Sequence, residues 1–390
     1  MLRSVKALLG VALVALSGTA LAEEFKIGVL YPIAGTGAVY GKPAMFGHDM
    51  AVDELNAAGG ILGKKVVSYP RDTKLKPASA AAAAKELITK EGVNVLIGGL
   101  SSAVGLAISE VAKQEKVLYI ATIPKTIKMT TENLHPHVFR IASNTDFEGD
   151  ALARLAAEQG AKKVCDLQLD YAYGYDLADG VKAGLKRYAP DAQIVIELRP
   201  KLGATDYNAF ITQIMGAQCD VVISGLWGSH FVNFAQQARP FGLFDRVKYI
   251  SGGEIGSHEI AGQMKGDYPD NVWANSYELF YDHHDPSHEA FQKELARRSG
   301  TEETAMWPAL TYVGVKFLAA AAEKAQSTDT DALIKALEGL SISTPIGQRT
   351  INAADHQADM GEFYGPMVKK PGLEYRVMDP VRYIGPPKAD

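Results

Sequence analysis

Phe25-Lys26-Ile27-Gly28-Val29-Leu30-Tyr31 is followed after Pro32-Ile33-Ala34 by Gly35-Thr36-Gly37-Ala38-Val39-Tyr40-Gly41. A nearly continuous apolar run of strand length, then glycines, then a helical pattern from Gly41 to Ala58, is the opening of a βαβ unit. The pattern continues downstream, with strands expected at Lys65 to Pro70, Val93 to Gly98 and Val117 to Ala121 and helices at Ala78 to Lys90 and Val104 to Glu115. Strands that are apolar along their whole length belong to parallel sheets covered by helices on both faces.

After His137 to Ile141 the rhythm restarts. Strands are expected at Lys163 to Leu169, Gln193 to Leu198, Val221 to Gly225, Val247 to Ser251 and Val272 to Glu278. Helices are expected between them, at Phe147 to Gln159, Leu177 to Tyr188, Tyr207 to Met215 and Phe231 to Phe241. The reading is an α/β protein of two doubly wound, Rossmann-like lobes, with ligand-competent loops at the carboxyl ends of the strands. Helices at His288 to Ser299, Ala309 to Lys324 and Asp329 to Glu338 follow, and a Gly/Pro-punctuated β-like tail from Ile342 returns to the two lobes.

The 390 residues, 22% charged and 47% hydrophobic, suit two or three lobes at roughly 150 residues each. Forty basic against 45 acidic residues, a net charge of -5, exclude a nucleic-acid or polybasic membrane surface as the main partner. Arg3 and Lys6 precede the apolar run Ala7 to Leu16, and Ala20-Leu21-Ala22 precedes Glu23, so residues 1–22 read as a cleaved secretory signal. The expected product is a soluble periplasmic chain. Cys165 and Cys219, both in apolar strand-like runs, are expected as two buried thiols; an oxidising compartment also permits a bridge between them.

Taken alone, the glycines after the first strand invite a dinucleotide reading. Their GxGxxxG spacing, the lack of a suitably placed ribose-binding acid and the export signal all oppose it, and no cofactor is expected. Gly-x-Ser-x-Gly and His-Glu-x-x-His are absent and neither Cys is placed as a nucleophile, which leaves an exported enzyme without machinery. Asp282-His283-His284-Asp285 with His288 and Glu289 has metal-ligand residue types but lies in a polar, solvated stretch, so no metal is expected. Arg349 is expected to pair with Asp355 or Asp359 in the tail.

Phe25 to Leu30, Gly35 through Gly41 and Asn56-Ala57-Ala58-Gly59-Gly60-Ile61-Leu62-Gly63 together resemble the opening of the type I periplasmic binding proteins of the leucine/isoleucine/valine-binding family, the substrate-capturing components of ABC importers. The resemblance continues through Ile97 to Ser102, Tyr173-Gly174, Gln237-Ala238-Arg239 to Gly242-Leu243, and Trp307 with Tyr312. It implies two lobes joined by a three-crossing hinge, one made of residues 23–142 plus 280–358 and the other of 143–279 plus 359–390. It also implies a non-enzymatic carrier, a monomer, that closes on a small carboxylate-bearing ligand and hands its closed form to the permease. A sensor that delivers the closed form to a signalling receptor is the alternative.

Carried over position by position, the resemblance implies that Ser102, with its neighbour Ser101, holds the ligand carboxylate beside free backbone amides; a plain helix cap is the other reading. It places Tyr40, Tyr173 and Trp227 around the ligand's body, buried packing being the other reading, and pairs Glu254 with an ammonium or hydroxyl, the other reading being a bond to its own lobe's backbone or to an Arg or Lys. The loop Ala121-Thr122-Ile123-Pro124-Lys125-Thr126 departs from the family pattern. Thr122 keeps a hydroxyl there, but Lys125 puts a cation at the cleft, and the loop from Thr122 to Lys125 is expected to hold the carboxylate together with Ser102. An aromatic acid or a ligand with an extra carboxylate thereby competes with a branched-chain amino acid.

Overall fold

The computed structural model describes residues 23–387 apart from 36 and 284; the expected signal segment lies outside the described residues. In the first sheet, β1 (Glu24–Tyr31), β2 (Lys65–Asp72), β3 (Val95–Gly98), β4 (Leu118–Ala121) and β5 (Val138–Arg140) are all parallel, in the order β2-β1-β3-β4-β5. The second sheet repeats this order with β6 (Lys163–Leu167), β7 (Gln193–Leu198), β8 (Val221–Ser224), β9 (Lys248–Ser251) and β10 (Val272–Ser276), arranged β7-β6-β8-β9-β10. In each, the order reverses beside the first strand, and the crevice at that switch point is where open α/β sheets take ligands.

After a hairpin of β11 (Ser341–Thr344) and β12 (Gly347–Thr350), the tail adds β13 (Glu362–Lys369) antiparallel to β10. β14 (Arg376–Met378) and β15 (Arg382–Ile384) pair with β13.

Both faces of each sheet are covered. Ile27, Val29 and Ile97 pack with the helices α1 (Ala38–Ala57) and α10 (Trp307–Ala325), whereas Leu30, Leu96 and Tyr119 pack with α2 (Pro77–Glu86) and α3 (Ser102–Glu115). Alternation along a strand sends successive side chains to opposite faces, so a run apolar throughout is what such a sheet needs. The second sheet lies between α4 (Thr145–Glu158) with α5 (Ala172–Tyr188) and a cluster holding α6 (Asn208–Ala217), α7 (Ser229–Ala238) and α8 (His258–Met264). α9 (Pro286–Ser299), α10 and α11 (Thr330–Leu337) return to the first sheet. Among the described residues, no helix is long and apolar enough to cross a membrane.

The chain passes between the sheets three times, after β5, after β10 and before β13, and the three passages are bonded to one another. Ser143 Oγ lies 2.8 Å from the Tyr277 hydroxyl and donates to Glu362, whose other oxygen accepts from Asn275. Beside them Arg140, fully buried, donates to Gln357 Oε1 at 2.5 Å and to the Thr126 carbonyl, and the Ala358 amide donates to the Arg140 carbonyl at 2.9 Å. A buried guanidinium has a large desolvation cost, and this fan of acceptors offsets it.

Two expectations are corrected. Cys165 and Cys219 form a disulfide with Cα atoms 5.8 Å apart, because Cys165 on β6 and Cys219 just ahead of the adjacent β8 are brought side by side by strand pairing. Arg349 does not reach Asp355 or Asp359. It donates to the carbonyls of its own hairpin and stands 5.2 Å from the Tyr383 ring centroid, because β12 aims it at β15.

Candidate functional site

Gly37 and Gly41, after β1, serve chain packing against Pro32. A Cβ on Gly41 would come 2.0 Å from the Pro32 carbonyl oxygen, so only glycine lets α1 start against the end of β1. That tight return aims Tyr40, in the first turn of α1, into the cleft between the two sheets.

The cleft holds a cavity at the carboxyl ends of both sheets. The first lobe contributes Tyr40, Leu100, Ser101, Ser102, Ile123, Lys125 and Trp307, and the second Tyr171, Tyr173, Trp227, Gly253 and Glu254. The lobes touch across it: the Tyr40 and Trp227 rings meet edge to face at 5.9 Å, and Lys128 Nζ lies 3.6 Å from Asp176. Gly228, at φ +56, lets α7 approach so closely that a Cβ there would stand 2.3 Å from the Tyr40 hydroxyl oxygen.

One wall is the N-terminus of α3. Ser101 is its cap, its Oγ accepting from the Val104 amide at 3.4 Å, and Ser102 is the first helical residue, its Oγ accepting from the Thr126 amide at 3.2 Å. Among the described residues the Ser102 and Ala103 amides have no protein acceptor. Such amides and the helix dipole favour an anion. The aromatic wall is braced by Trp227 Nε1 donating to the Tyr171 hydroxyl at 3.1 Å and by Trp307 edge-on to Tyr40 at 5.4 Å.

The floor is ionic. Lys125 Nζ lies 3.1 Å from Glu148 Oε1 and 3.0 Å from Glu362 Oε1, and makes a shorter contact with Glu254. It also stands 5.1 Å over the Tyr277 ring. Burial opposes the lysine's charge, but the three carboxylates and Tyr277 together raise its ammonium well above the ordinary range. Burial, opposed by Lys125 and reinforced by Glu362, pushes the Glu254 carboxyl up to about 7, and the same causes with Glu254 added hold Glu148 well above the usual range. Glu254 itself sits at φ +51, fixed by its amide donating to Asn275 Oδ1 at 2.8 Å.

Of the residues singled out in the sequence, Tyr40, Ser101, Ser102, Lys125, Tyr173, Trp227 and Glu254 all line this cavity. Thr122 does not: it is fully buried on the other side of its loop, bonded to Tyr31, whose hydroxyl also bonds Thr311 of α10 at 2.7 Å. Tyr173 belongs to the first turn of α5, which begins at Ala172 and not at Leu177; its hydroxyl lies 3.0 Å from Glu148 Oε1 and 3.1 Å from the Gly252 carbonyl. Lys125 and Glu254, expected to hold opposite ends of a ligand, hold each other. Glu148, Glu362, Tyr171 and Trp307 went unrecognised as site residues. Trp307 was readable only as part of the resemblance, and the two glutamates lie on a helix and a tail strand whose sequence gives no sign of facing one lysine.

Asp285, from the acidic and histidine-rich stretch, caps α9 by accepting from the Ser287 and His288 amides at 2.8 and 3.0 Å, while His288 Nε2 lies 2.8 Å from Glu278. His284 lies outside the described residues. Glu148, Glu254 and Glu362 have oxygens within 4.8 Å of one another, the spacing of a metal site, but the Lys125 ammonium occupies that space.

A family described as "Periplasmic binding protein" matches residues 24–365. The chain is 27% identical over 351 residues to the Leu/Ile/Val-binding protein homolog 8 of Brucella suis, spanning 87% of this chain and 86% of that one. It is 26% identical over 343 residues to the leucine-specific-binding protein of Salmonella typhimurium, with 87% and 89% covered. Among solved structures, an R. palustris ABC-transporter solute-binding protein in complex with 4-hydroxybenzoate superimposes with a TM-score of 0.82 at 21% identity, over 93% of this chain and 98% of that one. A branched-chain amino acid transporter substrate-binding protein from Streptococcus pneumoniae, in complex with isoleucine, gives 0.79 at 23% identity, over 93% and 100%.

Proposed function

Because the chain belongs to the periplasmic binding protein family, we propose that it is the periplasmic solute-binding component of an ABC importer, a non-enzymatic monomer that closes its lobes over a small carboxylate-bearing molecule. The lobes comprise residues 23–142 with 280–358 and 143–279 with 359–390. Residues 1–22 direct export, and the Cys165–Cys219 disulfide suits an oxidising compartment.

The observation that carries this reading is the cavity between the two switch points, lined from both lobes, with unpaired helix amides on one wall and aromatic rings on the others. The carboxylate lies against the Ser102 and Ala103 amides with the hydroxyls of Ser101 and Ser102 alongside. Tyr40, Tyr173, Trp227 and Trp307 enclose an apolar body, and Glu254 with Lys125 bounds its far end. The relatives named for leucine, isoleucine and valine, and the structure holding 4-hydroxybenzoate, bind molecules of this outline.

Ligand contacts made by both lobes exist only in the closed form, so binding shifts the population toward closure. The hinge bonds among Ser143, Tyr277, Asn275 and Glu362 run into the cavity floor through Lys125, which ties the lobe angle to the site.

The test is a thermal-shift screen over small carboxylic acids followed by calorimetry and small-angle scattering. An acid present at 100 times its dissociation constant adds about 2.7 kcal/mol of stability, and saturation should reduce the radius of gyration. If no carboxylic acid raises the melting temperature and the scattering never changes, the reading is wrong.

A further inference from the structure

The cation position of the cleft is filled from within the chain. Lys125 comes from the loop after β4 in the first lobe, and its side chain, 7% exposed, enters a socket built by the second lobe. Glu148 on α4, Glu254 after β9 and Glu362 on β13 supply one oxygen each, and Tyr277 supplies a ring face. These oxygens lie within 4.8 Å of one another, so the socket is one cation wide.

We propose that Lys125 is a resident stand-in for a ligand amino group, so that the cleft selects carboxylic acids without an amine, aryl or branched-alkyl monocarboxylates, over α-amino acids. This rests on the solute-binding reading above and names the substrate class for that same site.

Three features argue for it. A second ammonium would have to displace Lys125 from three carboxylates or lie beside it, and either way a charge loses its hydration without gaining a full set of partners. The rest of the lining offers one anion position, at Ser101 and Ser102, and otherwise mostly ring and alkyl surface, the Tyr171 and Tyr173 hydroxyls being bonded to Trp227 and Glu148. The socket with its lysine is also closer to charge balance than three carboxylates suggest, since burial raises the Glu254 and Glu148 carboxyls toward their neutral forms.

The experiment compares twins that differ only in the amine: 4-methylpentanoate with leucine, and 3-phenylpropionate with phenylalanine. Affinities for the full mature chain are read by calorimetry. The expected result is that at least one deaminated acid binds and its amino acid is roughly 100-fold weaker, the scale of leaving a buried charged group without partners. In Lys125→Ala the vacated socket should accept the ligand's ammonium, so the preference within each pair moves toward the amino acid. Added ethylammonium should refill the socket and return the preference to the deaminated twin; a merely structural role for the lysine would weaken both members of a pair alike and leave the preference unmoved.

If the wild-type chain binds an amino acid and rejects its twin, solute binding stands and the inference alone is overturned. If no member of either pair, nor benzoate, binds, the carboxylate reading falls and takes the inference with it. Should Lys125→Ala not fold, Lys125→Met keeps the apolar stem, and an unchanged preference in that variant overturns the inference.

Discussion

Replacing Lys125 with methionine keeps the length of the side chain and removes its charge, leaving Glu148, Glu254 and Glu362 with oxygens within 4.8 Å of each other and no cation among them. Two ionised carboxylates about 5 Å apart repel by roughly 3 kcal/mol at an effective dielectric of about 20. Breaking a buried ion pair by removing one partner typically costs about 3–5 kcal/mol, and that is the loss expected near pH 8.

The loss should depend on pH with a definite sign. Glu254 already has its folded-state value raised to about 7, with burial as the main cause, and burial also holds Glu148 well above the usual carboxylate range. An acid raised on folding holds a proton that the unfolded chain releases. Its stabilising contribution is complete below the unfolded value and is lost as pH rises through the folded one. Without Lys125 the Glu254 carboxyl rises further, so between pH 8 and about 7 the folded variant keeps a proton that the folded wild type has released. One proton is worth roughly 1.4 kcal/mol per pH unit, so acidification from pH 8 to pH 5 should recover on the order of 1.4 kcal/mol of the loss.

The assay is urea denaturation of the ligand-free protein at intervals between these pH values, followed by the fluorescence of Trp227 and Trp307 in the cleft. A penalty that is equal at both ends, or that grows on acidification, would refute the three-carboxylate socket.

Gly228→Ala places a Cβ 2.3 Å from the Tyr40 hydroxyl oxygen at a φ of +56; it should weaken ligand affinity by at least about 10-fold by obstructing closure, with scattering showing less compaction at saturation. The double variant Cys165→Ala/Cys219→Ala opens a crosslink spanning 54 residues, and loop entropy sets an upper estimate of about 4 kcal/mol for the loss; a urea midpoint equal to that of the oxidised wild type would contradict it. Arg140→Met removes the guanidinium that joins Gln357 to the Thr126 carbonyl and should cost about 3–5 kcal/mol, read as a lowered melting temperature; an unchanged one would show that the third passage is held by other contacts.

Much of this was legible along the chain because it is local. The apolar runs Phe25 to Tyr31 and Val221 to Ser224 are strands because only a doubly covered sheet hides every side chain. Helix starts were less legible: Tyr171-Ala172-Tyr173-Gly174-Tyr175 has weak helix formers, and α5 nevertheless begins at Ala172, where Tyr173 can reach Glu148 and Gly252. Thr122 illustrates the limit from the other side. It stands in a cleft-bordering loop, but its orientation is decided by Tyr31 and Thr311, two partners distant in sequence.

By itself, the sequence determined the order of strands and helices and the two-lobed class, since hydrophobic period and turn chemistry are properties of neighbouring residues, while most residues that reach the cleft were implied by the family resemblance. The tertiary structure decided which of them meet. The Cys165–Cys219 bridge, the hinge bonds of Arg140 and Glu362, and the capture of Lys125 by three glutamates all join residues far apart in the chain. Ionic and hydrogen-bonding partners are set by distances of a few ångströms in space, which only the packing of two sheets about a hinge supplies.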